Sequence, residues 1–155
     1  MRRRSHHGNW LGVSDPKDDK GSRTQNVTEL VNGIDIIEIH RVKSIADRYG
    51  QRFFNRIYPN NELAYCRGRA PQLASRFAAK EAVMKALGTG TRGVRWRDIE
   101  VVRLPGMAPS IKLYGSALVR AENIGINHLS LSLSHSKEYA VASVVCESTH
   151  GNLIQ

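Results

Sequence analysis

The sequence predicts an α+β domain, and three observations carry that expectation. Pro71 to Gly88 runs with helical periodicity and opens on a proline, which suits a first helical turn. Glu29 to Ile37 reads as a strand, its second half rich in β-branched isoleucine. Leu129 to Leu133 alternates leucine with serine, the period-two pattern of a half-buried strand, and Tyr139 to Cys146 follows as its expected hairpin partner. At 155 residues the chain suits one domain with a real core.

The elements follow in order. Residues 1–26 are rich in Arg, His, Ser, Gly and Asp without a periodic apolar pattern and are expected to be a flexible N-terminal extension. The domain is expected over 27–148, with 149–155 as a C-terminal tail. After the first strand, Arg41 to Tyr49 predicts a helix with Val42, Ile45, Ala46 and Tyr49 on one face and Gly50 at its end. Phe53 to Ile57 and Glu62 to Cys66 predict short helices split by Pro59-Asn60-Asn61. Ile99 to Leu104 and Ser110 to Leu113 predict strands around the Pro105-Gly106 turn. Ser116 to Ile124 predicts a last helix, stopped by Gly125.

Charge narrows the partner. Against 14 acidic residues stand 23 basic ones, a net charge of +9, and the isoelectric point is near 10.0. Six of the basic and three of the acidic residues fall within 1–26, so +6 belongs to the remainder. An anionic partner is expected. Cys66 and Cys146 are isolated, which argues against a disulfide framework or a structural zinc site. The longest apolar run near the N-terminus, Trp10-Leu11-Gly12-Val13, is too short for a signal sequence or a membrane span, so no membrane partner and a cytoplasmic location are expected.

The long helix carries a misfit. At about 100° per residue, Phe77, Ala79, Val83, Met84, Ala86 and Leu87 fill one apolar arc, and Arg76 and Lys80 point into its middle. As a like-charged i, i+4 pair they cost a few tenths of a kcal/mol unless an anion lies between them. Glu81 and Lys85 flank the arc, and a surface ion pair between them is the plain alternative to a functional role. Two further segments weigh against it. An acid, Asp35, interrupts the apolar run Gly33-Ile34-Asp35-Ile36-Ile37-Glu38-Ile39-His40-Arg41, and the serine-alternating strand ends in Ser134-His135-Ser136.

In this order and spacing the segments resemble the holo-acyl-carrier-protein synthase family of 4′-phosphopantetheinyl transferases. The resemblance covers roughly Val31 to Val145. It rests on Gly33-Ile34-Asp35 with Glu38 and Arg41, on Arg76-Phe77-Ala78-Ala79-Lys80-Glu81-Ala82 with Lys85 and Gly88-Thr89-Gly90, on Trp96 with Asp98-Ile99-Glu100-Val101, and on the Ser-His-Ser turn. It implies a compact α+β domain with one long central helix on a small, mainly antiparallel sheet, assembled as a homotrimer with active sites between subunits. It implies transfer of 4′-phosphopantetheine from coenzyme A to a serine of apo acyl carrier protein in fatty acid biosynthesis, releasing adenosine 3′,5′-bisphosphate. Mg²⁺ is the implied cofactor, with Asp35 and Glu81 as its ligands. Glu81, Lys85 and Asp35 are the implied catalytic residues, and whether Glu81 takes the serine proton directly or through water stays open. Arg76, Lys85, His135, Ser136, Arg69 (or Arg67) and Pro109, the last with Gly106 from a neighbouring subunit, are the implied coenzyme A contacts. Arg41, Arg48 and Arg52, continued by Arg56, form a basic stripe that would dock the acidic carrier.

Two other readings suit parts of the sequence. The same transfer to polyketide or peptide synthase carriers uses the same residues, but short single-domain chains resemble the fatty-acid type. A nucleic-acid-binding module explains the isoelectric point and little else. Aromatics are 6% of residues, no aromatic RNA-binding strand is present, and the basic residues are interleaved with carboxylates that repel phosphate unless a metal intervenes.

Overall fold

The computed structural model describes residues 27–150. The expected extension 1–26 and the tail beyond 150 lie outside the described residues. Five strands and five α-helices follow one another as β1 (Val27–Glu38), α1 (Ile39–Tyr49), α2 (Gln51–Ile57), α3 (Asn60–Cys66), α4 (Ala70–Ala86), β2 (Ile99–Val102), β3 (Ser110–Leu113), α5 (Gly115–Asn123), β4 (Ile126–His135) and β5 (Tyr139–His150). Two 3₁₀ turns, Gly90–Arg92 and Trp96–Asp98, lie between α4 and β2. The fold is α+β, as expected. Strand β5 continues to His150, two residues past the expected domain bound, and pairs there with the start of β1.

The strands form an antiparallel three-stranded sheet in the order β1-β5-β4 and a separate antiparallel pair β2-β3. Alternation fixes which side of the larger sheet is buried. Along β1, Gly33, Asp35 and Ile37 face inward, and across from them Ala140, Ala142 and Val144 of β5 do the same. Leu129, Leu131 and Leu133 supply the inner face of β4.

Helix α4 lies across that inner face and packs on both β1 and β5. It is covered nearly all round: Leu73, Ala74, Ala78, Ala79, Ala82, Val83, Met84 and Ala86 are all buried. A helix surrounded on most sides has no single polar face to display, which is why its charges do not sort onto one side. Its alanines let backbones approach closely. A Cβ built on Gly33 would lie 2.0 Å from the carbonyl oxygen of Ala82 and 2.9 Å from the amide nitrogen of Ala86. No side chain fits there without separating β1 from α4. Gly33→Ala is therefore expected to destabilise the domain by about 1–3 kcal/mol, measured as a lower denaturant midpoint, and a midpoint equal to that of the wild type would refute the close-approach account.

The rest of the architecture closes the core. Asp98 accepts hydrogen bonds from the Ser116 amide (2.9 Å) and hydroxyl (2.7 Å), satisfying donors of the first turn of α5. Phe53, Ile57 and Tyr58 reach the core from α2 and its end, with Tyr58 donating to the Leu73 carbonyl at 3.0 Å. Among the described residues no helix is long and apolar enough to cross a membrane.

Candidate active site

Strand β1 and helix α4 bring together the three residues expected to carry chemistry. Asp35 faces inward and is 7% exposed. Lys85, one turn beyond Glu81 on α4, donates to Asp35 Oδ1 at 2.9 Å and to the Ile34 carbonyl at 2.9 Å. The ammonium thus bridges to the sheet, and the surface Glu81–Lys85 pair that a lone helix would favour does not form. Two of its three N–H donors are committed, and one is left for a ligand. Asp35 Oδ2 is buried without a hydrogen-bond partner.

Glu81 stands beside Asp35. Its carboxyl is raised above the usual range, first by burial, then by the negative charge of Asp35, while Lys85 and Arg41 pull it partly back. Two carboxylates side by side, one with an unpartnered buried oxygen, suit a hard divalent cation. Among the described residues no third His, Cys, Asp or Glu joins them, so further ligands would be water or substrate oxygens, the set magnesium favours. Glu81 also lines a small cavity with Ile36, Ile37, Arg41, Ile45 and Phe77, which opens the carboxyl toward the α1 side.

A second cavity, of about 210 Å³, gathers Arg76 of α4 and His135 from the end of β4. Arg76 is 3% exposed, stacks its guanidinium 4.2 Å above the Tyr65 ring and gives one bond to the Gln72 carbonyl at 3.3 Å. Its Nε is buried and unpartnered, a donor held ready for an anion. Ser134, Ser75 and Arg103 line the same cavity. Arg103 was not foreseen. It lies just past β2, in a segment whose sequence signalled only a strand and a turn, and only the fold carries it across to the end of β4.

Other expected contacts are placed differently. Arg69 donates to the carbonyls of Tyr65 (2.9 Å) and Cys66 (3.1 Å), closing the end of α3, and lines neither cavity. Arg67 caps the same helix in the left-handed conformation, φ 49°. Pro109 and Gly106 sit in the β2–β3 connection and line neither cavity of this chain. Ser136 organises the β4–β5 turn, its hydroxyl accepting from the amides of Glu138 (3.2 Å) and Tyr139 (3.1 Å). The ring of His135 beside it reaches the cavity.

Lys80 has the counter-charge that its place in the apolar arc called for, and that anion is Glu62 of α3. The ammonium lies 2.9 Å from Glu62 Oε2, with both side chains 0% exposed. It also donates to the carbonyls of Ile99 and Trp96, while Glu62 Oε1 accepts from the Val101 amide at 2.6 Å. Lys80 is therefore a strut between α4, α3 and β2. The signal for Glu62, one acid in a seven-residue helix, was too ordinary to find in the sequence.

Arg41, Arg48 and Arg52 are exposed on α1 and α2; Arg41 lines the Glu81 cavity, and Arg52 lines a different cleft with Tyr49, Phe53 and Arg56. Arg48 rests over the Tyr49 ring at 5.3 Å. Lys43, near the stripe, is taken up by Asp47 at 2.6 Å.

Known proteins share this fold and much of this sequence. A family model described as the 4′-phosphopantetheinyl transferase superfamily matches residues 32–144. The holo-[acyl-carrier-protein] synthase of Dehalococcoides mccartyi is 50% identical over 118 residues, covering 76% of this chain and 98% of the relative. Among solved structures, the Helicobacter pylori holo-[acyl-carrier-protein] synthase in complex with coenzyme A superposes with a TM-score of 0.68 at 33% identity, over 74% of this chain and 98% of that one. The enzyme of that name from Neisseria meningitidis does so with a TM-score of 0.68 at 37% identity, over 76% and 98%. The matched span contains Asp35, Arg76, Glu81, Lys85 and His135, and on this match of sequence and fold the chain belongs to the 4′-phosphopantetheinyl transferase superfamily.

Proposed function

We propose that this enzyme transfers 4′-phosphopantetheine from coenzyme A to a serine hydroxyl of an apo acyl carrier protein of fatty acid synthesis, in the cytoplasm, with Mg²⁺ held by Asp35 and Glu81. The observation that carries the reading is Lys85: it is anchored to Asp35 and the Ile34 carbonyl, one turn from Glu81, with a donor to spare. Phosphoryl transfer asks for this kind of positioning and charge neutralisation more than for covalent chemistry.

Each residue then has a task. The serine oxygen attacks the phosphorus that bears pantetheine, the bond from that phosphorus to the bridging oxygen breaks, and adenosine 3′,5′-bisphosphate leaves. Glu81, whose proton affinity is raised, takes the serine proton. The free N–H of Lys85 stabilises the charge that grows on the departing phosphate. Mg²⁺, when bound, neutralises the pyrophosphate oxygens. Arg76 and His135, with Arg103 beside them, hold the outer phosphate and nucleoside end of coenzyme A in the 210 Å³ cavity. Arg41, Arg48 and Arg52 orient the carrier so that its serine enters past Ile36 and Phe77.

A homotrimer is part of the proposal. The outer face of the large sheet exposes Leu30 (69%), Ile34 (63%), Ile36 (65%) and Val145 (41%), an apolar surface that a neighbouring copy would cover. A neighbour would also bring Pro109 or Gly106 to the adenine, which this chain's own cavity lacks.

The reaction is tested by the intact mass of an apo acyl carrier protein incubated with this enzyme, coenzyme A and magnesium. A gain of one phosphopantetheine group, abolished by chelator, is the expected result. No gain on fatty-acid carriers, with a gain on polyketide or peptide synthase carriers, would reassign the partner and keep the chemistry.

A further inference from the structure

The turns between α4 and β2 build a cleft that the transfer chemistry does not use. Arg56 of α2 with Thr91, Val94, Arg95, Trp96 and Arg97 encloses about 320 Å³. Arg56 also lines a neighbouring cleft with Tyr49, Arg52 and Phe53, so this basic wall is continuous with the stripe on α1 and α2. Arg97 Nη1 donates to the Asn55 carbonyl at 3.3 Å, which ties the turn segment to α2. Among the described residues, the side chains of Arg52, Arg56 and Arg95 make no ion pair or hydrogen bond; only the backbone amide of Arg95 is engaged, with Ser116. Asp98, the nearest acid in sequence, is committed to the start of α5.

Like charges gathered without an internal counter-charge point outward to an anionic partner. The three arginines are exposed and the cleft has no buried donor, so it fits a broad acidic protein surface better than a small anion enclosed on all sides. Its position fits the same occupant. The Trp96 ring packs on Phe77 at 4.7 Å between centroids, and Phe77 lines the cavity of Glu81 and Arg41. A protein seated on the cleft therefore lies one aromatic pair away from the base.

Resting on the transfer reading above, we propose that Arg95 and Arg97 extend the stripe of Arg41, Arg48, Arg52 and Arg56 into this cleft as a further docking contact for an acidic segment of the carrier protein, and that this contact raises selectivity for acidic carriers. The test is steady-state kinetics of Arg95→Gln/Arg97→Gln, varying each substrate in turn. The carrier KM is expected to rise about tenfold, with kcat and the coenzyme A KM within about twofold of wild type and a shallower fall of kcat/KM with added salt. Arg95→Gln alone, which breaks no side-chain bond, is expected to give about a threefold rise, and the Arg95→Lys/Arg97→Lys variant to restore most of the loss. An unchanged carrier KM, or an equal rise for both substrates, would overturn the docking contact while leaving the reaction in place. Wild-type protein that modifies no carrier would instead overturn the reaction itself, and the contact with it.

Discussion

Glu81→Gln abolishes transfer, by about 10³-fold or more in kcat, and raises the thermal midpoint at neutral pH. Both effects come from one geometry. The carboxyl is raised by burial and by Asp35, so its ionised form is disfavoured in the folded chain. A carboxyl whose folded pKa lies above its unfolded value contributes its full stability below the unfolded value and loses it as pH rises through the folded one. Above that window the wild-type protein carries the repulsion between Glu81 and Asp35, and the neutral amide does not. The variant should therefore be the more stable protein near pH 7, and the gap should close as pH falls below the ordinary carboxylate range near 4.5.

Calorimetry across pH reads this directly. A variant that is less stable than wild type at neutral pH would refute the strained pair. Magnesium supplies a second reading that does not depend on turnover. A cation held between Asp35 and Glu81 binds the folded state, so it should raise the midpoint of the wild type by mass action and raise that of Glu81→Gln much less. Equal shifts in the two proteins would remove the cation from this pair of carboxylates.

The residues of the proposed site, and with them the structural Lys80, were legible because each broke a local rule. Asp35 interrupts an apolar strand, Arg76 and Lys80 interrupt an apolar helical arc, and His135 closes a strand of leucines and serines. Elements with a strong period were legible for the related reason that periodicity fixes a buried face: α1, α4 and the β4–β5 hairpin lie within a few residues of their expected bounds. The turns at 90–98 were not, since three-residue 3₁₀ turns are too short to show a period. Partnership was the least legible property. Lys85 pairs with Asp35 across fifty positions and Lys80 with Glu62 across eighteen, and no local pattern encodes which distant acid a lysine meets. Arg69 illustrates the converse, because its basic loop signalled a phosphate contact, whereas the exposed carbonyls at the end of α3 claimed the guanidinium first.

Lys80→Met costs about 3–5 kcal/mol of stability, and the folded fraction keeps its kcat. The loss follows from what remains: Glu62, fully buried, is left without its counter-charge, and the Ile99 and Trp96 carbonyls lose their donor. Burial already pushes both members toward their neutral forms, raising Glu62 and lowering Lys80. Glu62→Leu is expected to cost a similar amount, because it strands the ammonium and the Val101 amide. The double variant should cost clearly less than the two singles together, since it removes both charges at once and leaves only neutral backbone groups unpaired. Denaturant midpoints of the four proteins close the cycle, and strictly additive costs would show that the two charges do not depend on each other. A fifth protein, Lys85→Met, separates two lysines five residues apart on α4. Lys85→Met should abolish transfer at a smaller cost in midpoint than Lys80→Met, because its side chain is half exposed at 54% and a cation can take its place beside the buried Asp35. Lys80→Met should do the reverse. Lys80 strengthens α4 without aiming it: Ala78, Ala79, Ala82, Val83 and Met84 are buried in the helix's packing whatever happens to the ion pair, so Arg76 and Glu81 keep their places in the folded variant.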